Sequence, residues 1–200
     1  PKRFYTWSVA VVSVVSLIIN IYLIGLGKAN SNYTPAYVID YGIQQPVFDL
    51  PATGGTDTVR VDVNNGMDNQ AMFWGMPTIQ AFHSVVPGSI MEFYPSVGVS
   101  RSVKSMPDNS QYGLRSLLSV RWLFEFANQN GTEYWDETKT FERYGKTQMP
   151  GWRYFGTQNG FRIYENQNFI PIGFTYTHYI TRSQYDKVYK TQRQFMLLKA

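Results

Sequence analysis

The feature that most constrains this chain is an uncharged apolar run near its start. Ser8 to Leu26 reads SVAVVSVVSLIINIYLIGL, 19 residues without a charged side chain. At a rise of about 1.5 Å per residue, a helix of this length measures roughly 28 Å, which is close to the hydrocarbon thickness of a bilayer. The run therefore predicts a transmembrane helix that contacts membrane lipid through residues 8–26.

Two other interpretations of this run stay open. A buried core helix is disfavoured, because few soluble helices are apolar on all sides over such a length. A cleaved signal peptide fits the basic Lys2 and Arg3 and the small residues Gly27 and Ala29, but the run exceeds the roughly 7 to 15 residues of a usual signal-peptide core. The chain starts at Pro1 rather than at a methionine, so we expect it to belong to a longer polypeptide.

The charges that flank the run predict an orientation. Lys2 and Arg3 precede it, and basic residues are enriched on the cytoplasmic side of membrane helices. We therefore expect a cell-membrane protein whose residues after Lys28 are extracytoplasmic. The chain has no cysteine, which fits an extracytoplasmic region that folds without disulfides.

Composition divides the chain into three predicted parts. Residues 1–28 form the transmembrane helix with its cytoplasmic flank. Residues 29–56 are rich in Asn, Pro, Gly and Thr and are predicted to be a linker, with one short strand at Tyr37 to Tyr41. Residues 57–200 form the extracytoplasmic domain.

Residue periodicity predicts both helix and strand in that domain. Thr58 to Val63 alternates valines with Arg60 and Asp62, the period of a half-buried strand with a polar face. Leucines at helical spacing between Gln111 and Ser119 are followed directly by an alternating stretch from Val120 to Phe126. A helix followed at once by a strand is typical of α/β proteins. The predicted fold class is a mixed α/β (α+β) domain preceded by a single transmembrane helix.

Turn residues organise the remainder of the domain. Phe161 to Glu165 and Phe169 to Tyr176 are aromatic, β-branched runs around residues 166–168, which predicts a hairpin. Residues 132–151 are polar without a clear period and are predicted to form an exposed excursion. Ser183 to Asp186 has the form of a capping box, so we expect one helix from there to the C-terminus.

The residues present argue against several kinds of site. Two histidines and no cysteine, without a recognisable ligand spacing, predict no metal and no cofactor. No nucleophile motif surrounds Ser84, and sequence spacing identifies no facing pair of carboxylates for a secreted glycosidase, so no catalytic residue is predicted. The net charge of +4 comes without a recognition motif for nucleic acid, which predicts no such partner.

An oxygen-ligand calcium site from Glu133, Asp136 and Glu137 is an alternative, but such loop charges are more often simply solvated.

Four aromatic residues flank the polar excursion and are candidates for stacking on sugar rings. Packing in the core is the alternative fate of such side chains. They are Tyr134, Trp135, Trp152 and Tyr154.

The positive charge is concentrated near the C-terminus. Residues 182–199 contain five basic residues and one acidic residue, a balance of +4. Outside a cell, such a segment fits an anionic lipid or an anionic wall polymer, and a solvated face is the alternative. The predicted contact residues are Lys187, Lys190 and Arg193.

Several stretches read together resemble the YfhO family of bacterial polytopic membrane proteins. The most specific are LLSVRW, Leu117 to Trp122, and YENQNFIPIGF, Tyr164 to Phe174. The resemblance covers roughly residues 57–200, and the apolar helix stands in a fitting place before it. Positions that match the family pattern are taken as a signature of the fold: Arg121, Tyr164, Glu165, Asn166, Pro171 and Gly173.

The resemblance implies a function for the parent protein. The family is similar to C-type glycosyltransferases, which transfer a sugar from a polyprenyl-phosphate donor to an acceptor outside the membrane, here cell-wall or lipoteichoic polymers. Their catalytic carboxylate lies in a loop that has no counterpart in this chain, so no catalytic residue is carried over. We expect the extracytoplasmic, non-catalytic portion of such an enzyme. The alternative is a single-pass membrane-anchored binding or scaffold module without enzymatic activity.

Overall fold

A computed structural model describes residues 2–29, 47–51, 59–100, 103–126 and 141–199. The chain forms two compact units, Pro1–Asp40 and Tyr41–Ala200. The helices are α1 Lys2–Ala29, α2 Gln70–Phe73, α3 Gly88–Ser96, α4 Tyr112–Leu117, α5 Arg182–Asp186 and α6 Arg193–Lys199. The strands are β1 Arg60–Asn64, β2 Ala81–Phe82, β3 Lys104–Ser105, β4 Val120–Phe126, β5 Glu142–Arg143, β6 Lys146–Thr147, β7 Trp152–Gln158 and β8 Phe161–Asn166. The predicted linker strand at Tyr37 to Tyr41 lies outside the described residues.

The first unit contains α1, a helix of 28 residues. The part from Lys2 to Gly27 is long and apolar enough to cross a membrane by length and composition. Its polar side chains bond within the helix: the Ser8 hydroxyl donates to the Phe4 carbonyl at 2.9 Å, and the Asn20 amide donates to the Ser16 carbonyl at 2.8 Å. Such internal pairing lowers the cost of placing polar groups in hydrocarbon.

A four-stranded sheet organises the second unit, in the order β1-β4-β8-β7. β1 and β4 are parallel, and the other neighbours are antiparallel. The predicted helix-then-strand is confirmed as α4 and β4, with Ser119 at a positive φ of 59° in the turn between them. The mixed α+β class is thereby confirmed.

The polar face predicted for the first strand is wrong. β1 lies beside the central strand β4, and Asp62 is completely buried along with Val61 and Val63. The alternation in the sequence is real, but side chains of other elements cover both faces of the strand, so the polar position faces a partner and not water.

The predicted hairpin is also wrong. β8 pairs with β7, through the turn residues Asn159 and Gly160, and residues 169–176 do not form a strand. Both turn residues have positive φ, 48° and 80°, which is the geometry that an Asn-Gly pair accommodates at a two-residue hairpin turn. After Asn166 the chain leaves the sheet, because the Asn166 side chain accepts a hydrogen bond from the Asn168 backbone N–H at 3.0 Å.

The core is mainly aromatic, and its residues come from segments that are distant in the chain. Phe124 in β4 contacts Phe48, Trp74 and Phe161, with ring centroids 4.6, 5.4 and 6.5 Å away. Residues 47–51 are held on the β7–β8 hairpin, since Gln158 exchanges two hydrogen bonds with the backbone of Asp49 at 2.7 and 2.9 Å. This segment therefore belongs to the packed unit although it falls within the predicted linker.

The exposed excursion predicted at residues 132–151 is wrong in its described part. Phe141 and Met149 are fully buried, and Phe141 lies 4.8 Å from the ring of Tyr164. The segment lacks a clear hydrophobic period because two short strands, β5 and β6, reverse the chain between these two anchors.

The single helix predicted at the C-terminus is interrupted. α5 ends at Asp186, a short 3-10 turn covers Lys190–Gln192, and α6 follows. The capping box forms at Thr181 and Gln184, two residues before the predicted start at Ser183, because the Thr181 hydroxyl accepts from the Gln184 N–H at 3.3 Å.

Candidate functional site

The second unit contains a polar cavity at the carboxyl end of β1. Its volume is about 290 Å³. β4 runs parallel to β1 here, with Asn64 opposite Glu125, and sheets with parallel strands commonly bind ligands beyond the carboxyl ends of those strands. The polar residues that line the cavity are Asp62, Asn64, Asn65, Gln80, Asp108, Asn109 and Arg115.

Asp62 forms the buried floor of this cavity. Its Oδ2 accepts a hydrogen bond from Arg115 Nε at 2.7 Å, and the two side chains are 0% and 3% exposed. Its Oδ1 accepts from the Val63 backbone N–H at 3.0 Å and from the Gln80 side-chain amide. A buried carboxylate is tolerated only when it is paired and hydrogen-bonded, and Asp62 meets both conditions.

Arg115 projects from α4 and connects residues 107–111 to the sheet through hydrogen bonds. Beyond Asp62, its guanidinium donates to the backbone carbonyls of Pro107 at 2.8 Å, Asp108 at 2.8 Å and Gln111 at 3.4 Å. The planar fork of arginine suits this multiple bonding. Because its donors already point to partners within the chain, Arg115 is a positioning residue that holds residues 107–111 against β1.

The remaining lining residues offer a mixed set of hydrogen-bonding groups. Asn64, Asn65, Gln80 and Asn109 carry amides, each with a donor and an acceptor end. Hydrogen bonds from the Ser110 side chain and backbone N–H lower the pKa of Asp108, so this carboxylate stays ionised and accepts hydrogen bonds. Neutral amides beside the Asp108 carboxylate suit the hydroxyl groups of a polymer better than its phosphate groups.

A second buried network adjoins the cavity. Glu125 Oε1 accepts from the Asn64 amide at 3.0 Å and from the Phe141 backbone N–H, and Oε2 accepts from the Tyr164 hydroxyl at 3.2 Å. Burial raises the pKa of Glu125 above its ordinary value, although these hydrogen bonds oppose the rise. Burial and the neighbouring Glu125 raise the pKa of Tyr164, which keeps its hydroxyl protonated as a donor.

The raised pKa of Glu125 predicts a pH-dependent stability. The folded state binds the Glu125 proton more tightly than the unfolded chain does, so the free energy of unfolding falls as pH rises from about 4.5 through the folded pKa. Glu125→Gln keeps an acceptor for Asn64 and Phe141 but cannot ionise. We expect this variant to lose that decline, which urea unfolding midpoints measured across pH 4.5 to 7 would show.

Glu92→Gln is the matched control, since Glu92 is exposed on α3. It should retain the wild-type dependence on pH. If Glu125→Gln and Glu92→Gln have the same pH profile, the ionisation of Glu125 does not affect stability.

The four aromatic candidates for sugar stacking differ in their exposure. Trp152 is buried and meets Phe141 edge-on at 6.1 Å. Tyr154 is 46% exposed, and its hydroxyl lies 2.8 Å from the Thr157 hydroxyl. Tyr134 and Trp135 lie outside the described residues. Among the four, Tyr154 is the ring that the described structure leaves accessible to a sugar.

The three basic candidates for anionic contact also differ in their exposure. Lys187 and Lys190 are exposed. Arg193 is 9% exposed and donates to the carbonyls of Val188 and Ser96, each at 3.0 Å. Its guanidinium also lies 4.5 Å from the centre of the Tyr185 ring. Arg193 therefore fastens the C-terminal helix, and the two lysines face solvent.

Within the described part of the chain, no group of three or more His, Cys, Asp or Glu side chains could hold a metal ion. The calcium alternative at Glu133, Asp136 and Glu137 lies outside that part.

The sequence did not identify the residues of the cavity. Asp62 stands at a polar position of the alternating strand, and Arg115 stands among the leucines of α4. A charged residue at an apolar position of a predicted helix is the sign that could have indicated a buried pair, but it does not reveal the partner.

Comparison with protein families finds a match that covers nearly the whole chain. The family model described as bacterial membrane protein YfhO matches residues 2–200. No curated protein and no solved structure matches the chain.

Proposed function

The chain belongs to the YfhO family of bacterial membrane proteins, and from this membership we propose that it is the extracytoplasmic, non-catalytic portion of a polyprenyl-phosphate-sugar-dependent glycosyltransferase. The acceptors of this enzyme are cell-wall or lipoteichoic polymers. The sheet-containing unit binds the acceptor, and the transfer chemistry takes place on residues outside this chain.

The observation that supports acceptor binding is the polar cavity at the carboxyl end of β1. It combines amide side chains with the ionised Asp108 around a rigid buried pair, Asp62 and Arg115. Hydroxyl groups of a polyol or sugar can donate to the carboxylate and both donate to and accept from the amides. Specificity in such sites comes from a few polar groups held in fixed positions.

Tyr154 adds a second contact for a glycan in this proposal. Its ring is about half exposed at 46%, and it packs edge-on against Tyr164 at 5.8 Å. A tyrosine that is fixed on one side and open on the other can stack on the apolar face of a sugar ring.

Acceptor binding is tested by titrating the full chain in lipid nanodiscs with a poly(glycerol phosphate) oligomer. Asn65→Gly removes one cavity amide while allowing the positive φ of 53° at this position. One hydrogen bond contributes about 0.5–1.5 kcal/mol, so we expect an affinity roughly 2- to 10-fold weaker in the variant, measured as heat of binding.

Asn159→Gly is the matched control, because Asn159 also has a positive φ, 48°, and lies in the β7–β8 turn. Its affinity should equal that of the wild type. Absence of binding by the wild type, or equal losses in both variants, would contradict acceptor binding in the cavity. Binding without any sugar transfer by the full-length parent protein would instead support the membrane-anchored binding module.

The proposed orientation gives a separate test in intact cells. The chain contains no cysteine, and Thr157 on β7 is exposed. We expect Thr157→Cys to react with a membrane-impermeant maleimide added outside intact cells, because residues after Lys28 are extracytoplasmic. Labelling only after the cells are lysed would show that residue 157 lies in the cytoplasm, which contradicts the proposed orientation.

A further inference from the structure

Residues 172–199, which follow the sheet, expose four aromatic rings. Tyr179 and Tyr189 are 88% and 80% exposed, and Phe174 stacks edge-on with Tyr176 at 5.3 Å while both remain open to solvent. Single exposed apolar residues are ordinary, but a cluster of them marks an interaction surface.

An apolar groove lies within the same region. It has a volume of about 610 Å³, and four apolar and three polar residues line it: Ile180, Val188, Phe195, Met196, His178, Gln192 and Lys199. The groove runs between the stretch that ends at Ile180 and the helix α6. Its lining is more apolar than that of the cavity at β1, so it suits a hydrocarbon chain and not a sugar.

One lysine lines this groove, and two more stand near groove residues in the chain. Lys187 precedes the groove residue Val188, Lys190 begins the following 3-10 turn, and Lys199 ends α6. The one acidic residue in this stretch, Asp186, is already paired with Arg182 at 3.1 Å and with Arg193 at 3.7 Å. The lysines therefore give the surface a net positive charge.

The helix that forms one wall of the groove is fixed to the sheet-containing unit. Gln194 is 2% exposed, accepts from the Leu114 backbone N–H at 3.0 Å and donates to the Ser110 carbonyl at 3.1 Å. Arg193 bonds the Ser96 carbonyl on α3. The surface is thus preformed, and binding to it requires little ordering of the backbone.

We propose that residues 172–199 form a lipid-contacting surface, in which the groove takes an acyl chain of an anionic phospholipid and Lys187, Lys190 and Lys199 bind headgroup phosphates. Tyrosine rings and long basic side chains beside apolar surface are the combination found at membrane–water interfaces. Basic residues near an anionic bilayer surface attract it. Apolar lining beside the lysines favours lipid over a wall polymer, which offers anionic charge without hydrocarbon.

Lipid contact by this surface is separate from sugar transfer and does not depend on it. A membrane protein whose extracytoplasmic unit contacts lipid directly keeps that unit close to the bilayer surface, where lipid-linked molecules are found.

The absence of native cysteine makes the test direct. The full chain with Tyr179→Cys is labelled with an environment-sensitive fluorophore and reconstituted in nanodiscs of phosphatidylcholine or of equimolar phosphatidylcholine and phosphatidylglycerol. We expect a blue shift in the anionic discs and quenching by brominated acyl chains. Each Lys→Gln substitution at Lys187, Lys190 or Lys199 should lower the ratio of lipid-bound to lipid-free label at position 179 about five-fold.

Thr157→Cys, labelled in the same way, is the control and should show neither the shift nor the quenching. A Tyr179 label that behaves like the Thr157 label in both lipids would overturn the proposal. A blue shift that persists in detergent and is not quenched by brominated lipid would also overturn it, because the label would then contact protein. A blue shift produced by soluble poly(glycerol phosphate) but not by lipid would overturn it in favour of a wall polymer.

Discussion

We expect Arg115→Met to lower the free energy of unfolding of the sheet-containing unit by about 3–5 kcal/mol. Methionine fills much of the same space but leaves the Asp62 carboxylate buried without its cation. It also removes the donors that hold the carbonyls of Pro107, Asp108 and Gln111. Urea unfolding of the full chain in detergent, followed by tryptophan fluorescence, measures the loss.

Arg182→Met is the matched control, because Arg182 also pairs with an aspartate, Asp186, but its side chain is 85% exposed. An exposed pair contributes about 0–1 kcal/mol, so this variant should be close to wild type. Asp62→Asn combined with Arg115→Met should cost less than the sum of the two single losses, since no buried charge is left unpaired. Equal stabilities for Arg115→Met and Arg182→Met would show that the buried pair does not stabilise the fold.

The second large effect is expected for Phe124→Ala, a loss of about 3–5 kcal/mol. Phe124 is fully buried on the central strand, with Phe48, Trp74 and Phe161 around its ring. Deleting the ring leaves a cavity at the point where residues 47–51 join the core. We therefore expect faster proteolysis near Phe48 in addition to the lower urea midpoint.

Phe82→Ala provides the comparison, because Phe82 lies on β2 and is 44% exposed. Its loss should be about 1 kcal/mol or less, since most of the buried area and the cavity term are absent. A Phe124→Ala variant no less stable than Phe82→Ala would mean that the aromatic cluster around β4 does not form the core.

These two variants also differ in what they do to the candidate site. Arg115→Met releases residues 107–111, of which residues 107–109 line the polar cavity, so acceptor binding should weaken even where the protein remains folded. Phe124→Ala acts on the opposite cluster of the core and leaves the Asp62 and Arg115 contacts in place. Measuring both acceptor binding and the free energy of unfolding in the two variants therefore distinguishes a residue that positions the cavity from one that only stabilises the fold.

Local patterns in the sequence were sufficient for several elements. The apolar run predicted α1, and the change from helical to alternating period predicted α4 and β4. The family resemblance rested on LLSVRW and YENQNFIPIGF and is confirmed by the match over residues 2–200. Each of these signals is carried by residues close together in the chain.

Apart from the interrupted C-terminal helix, the incorrect predictions concern contacts between distant segments. The stretch from Phe161 could have paired forward or backward along the chain, and the Asn159-Gly160 turn decided for β7. Phe141 and Met149 are isolated apolar residues in a polar stretch, so their burial depends on the surface that receives them. Periodicity does not report such partners.

What the sequence by itself determined is therefore a helix long and apolar enough to cross a membrane, the fold class and the family, because apolar length, period and short motifs are properties of contiguous residues. Only the tertiary structure decided that Asp62 faces Arg115, 53 positions away, and that amides from three separate segments line one cavity. The reason is that a charge survives burial only where the fold brings its partner to it, and that partner is selected by the packing of the whole sheet and not by any local pattern.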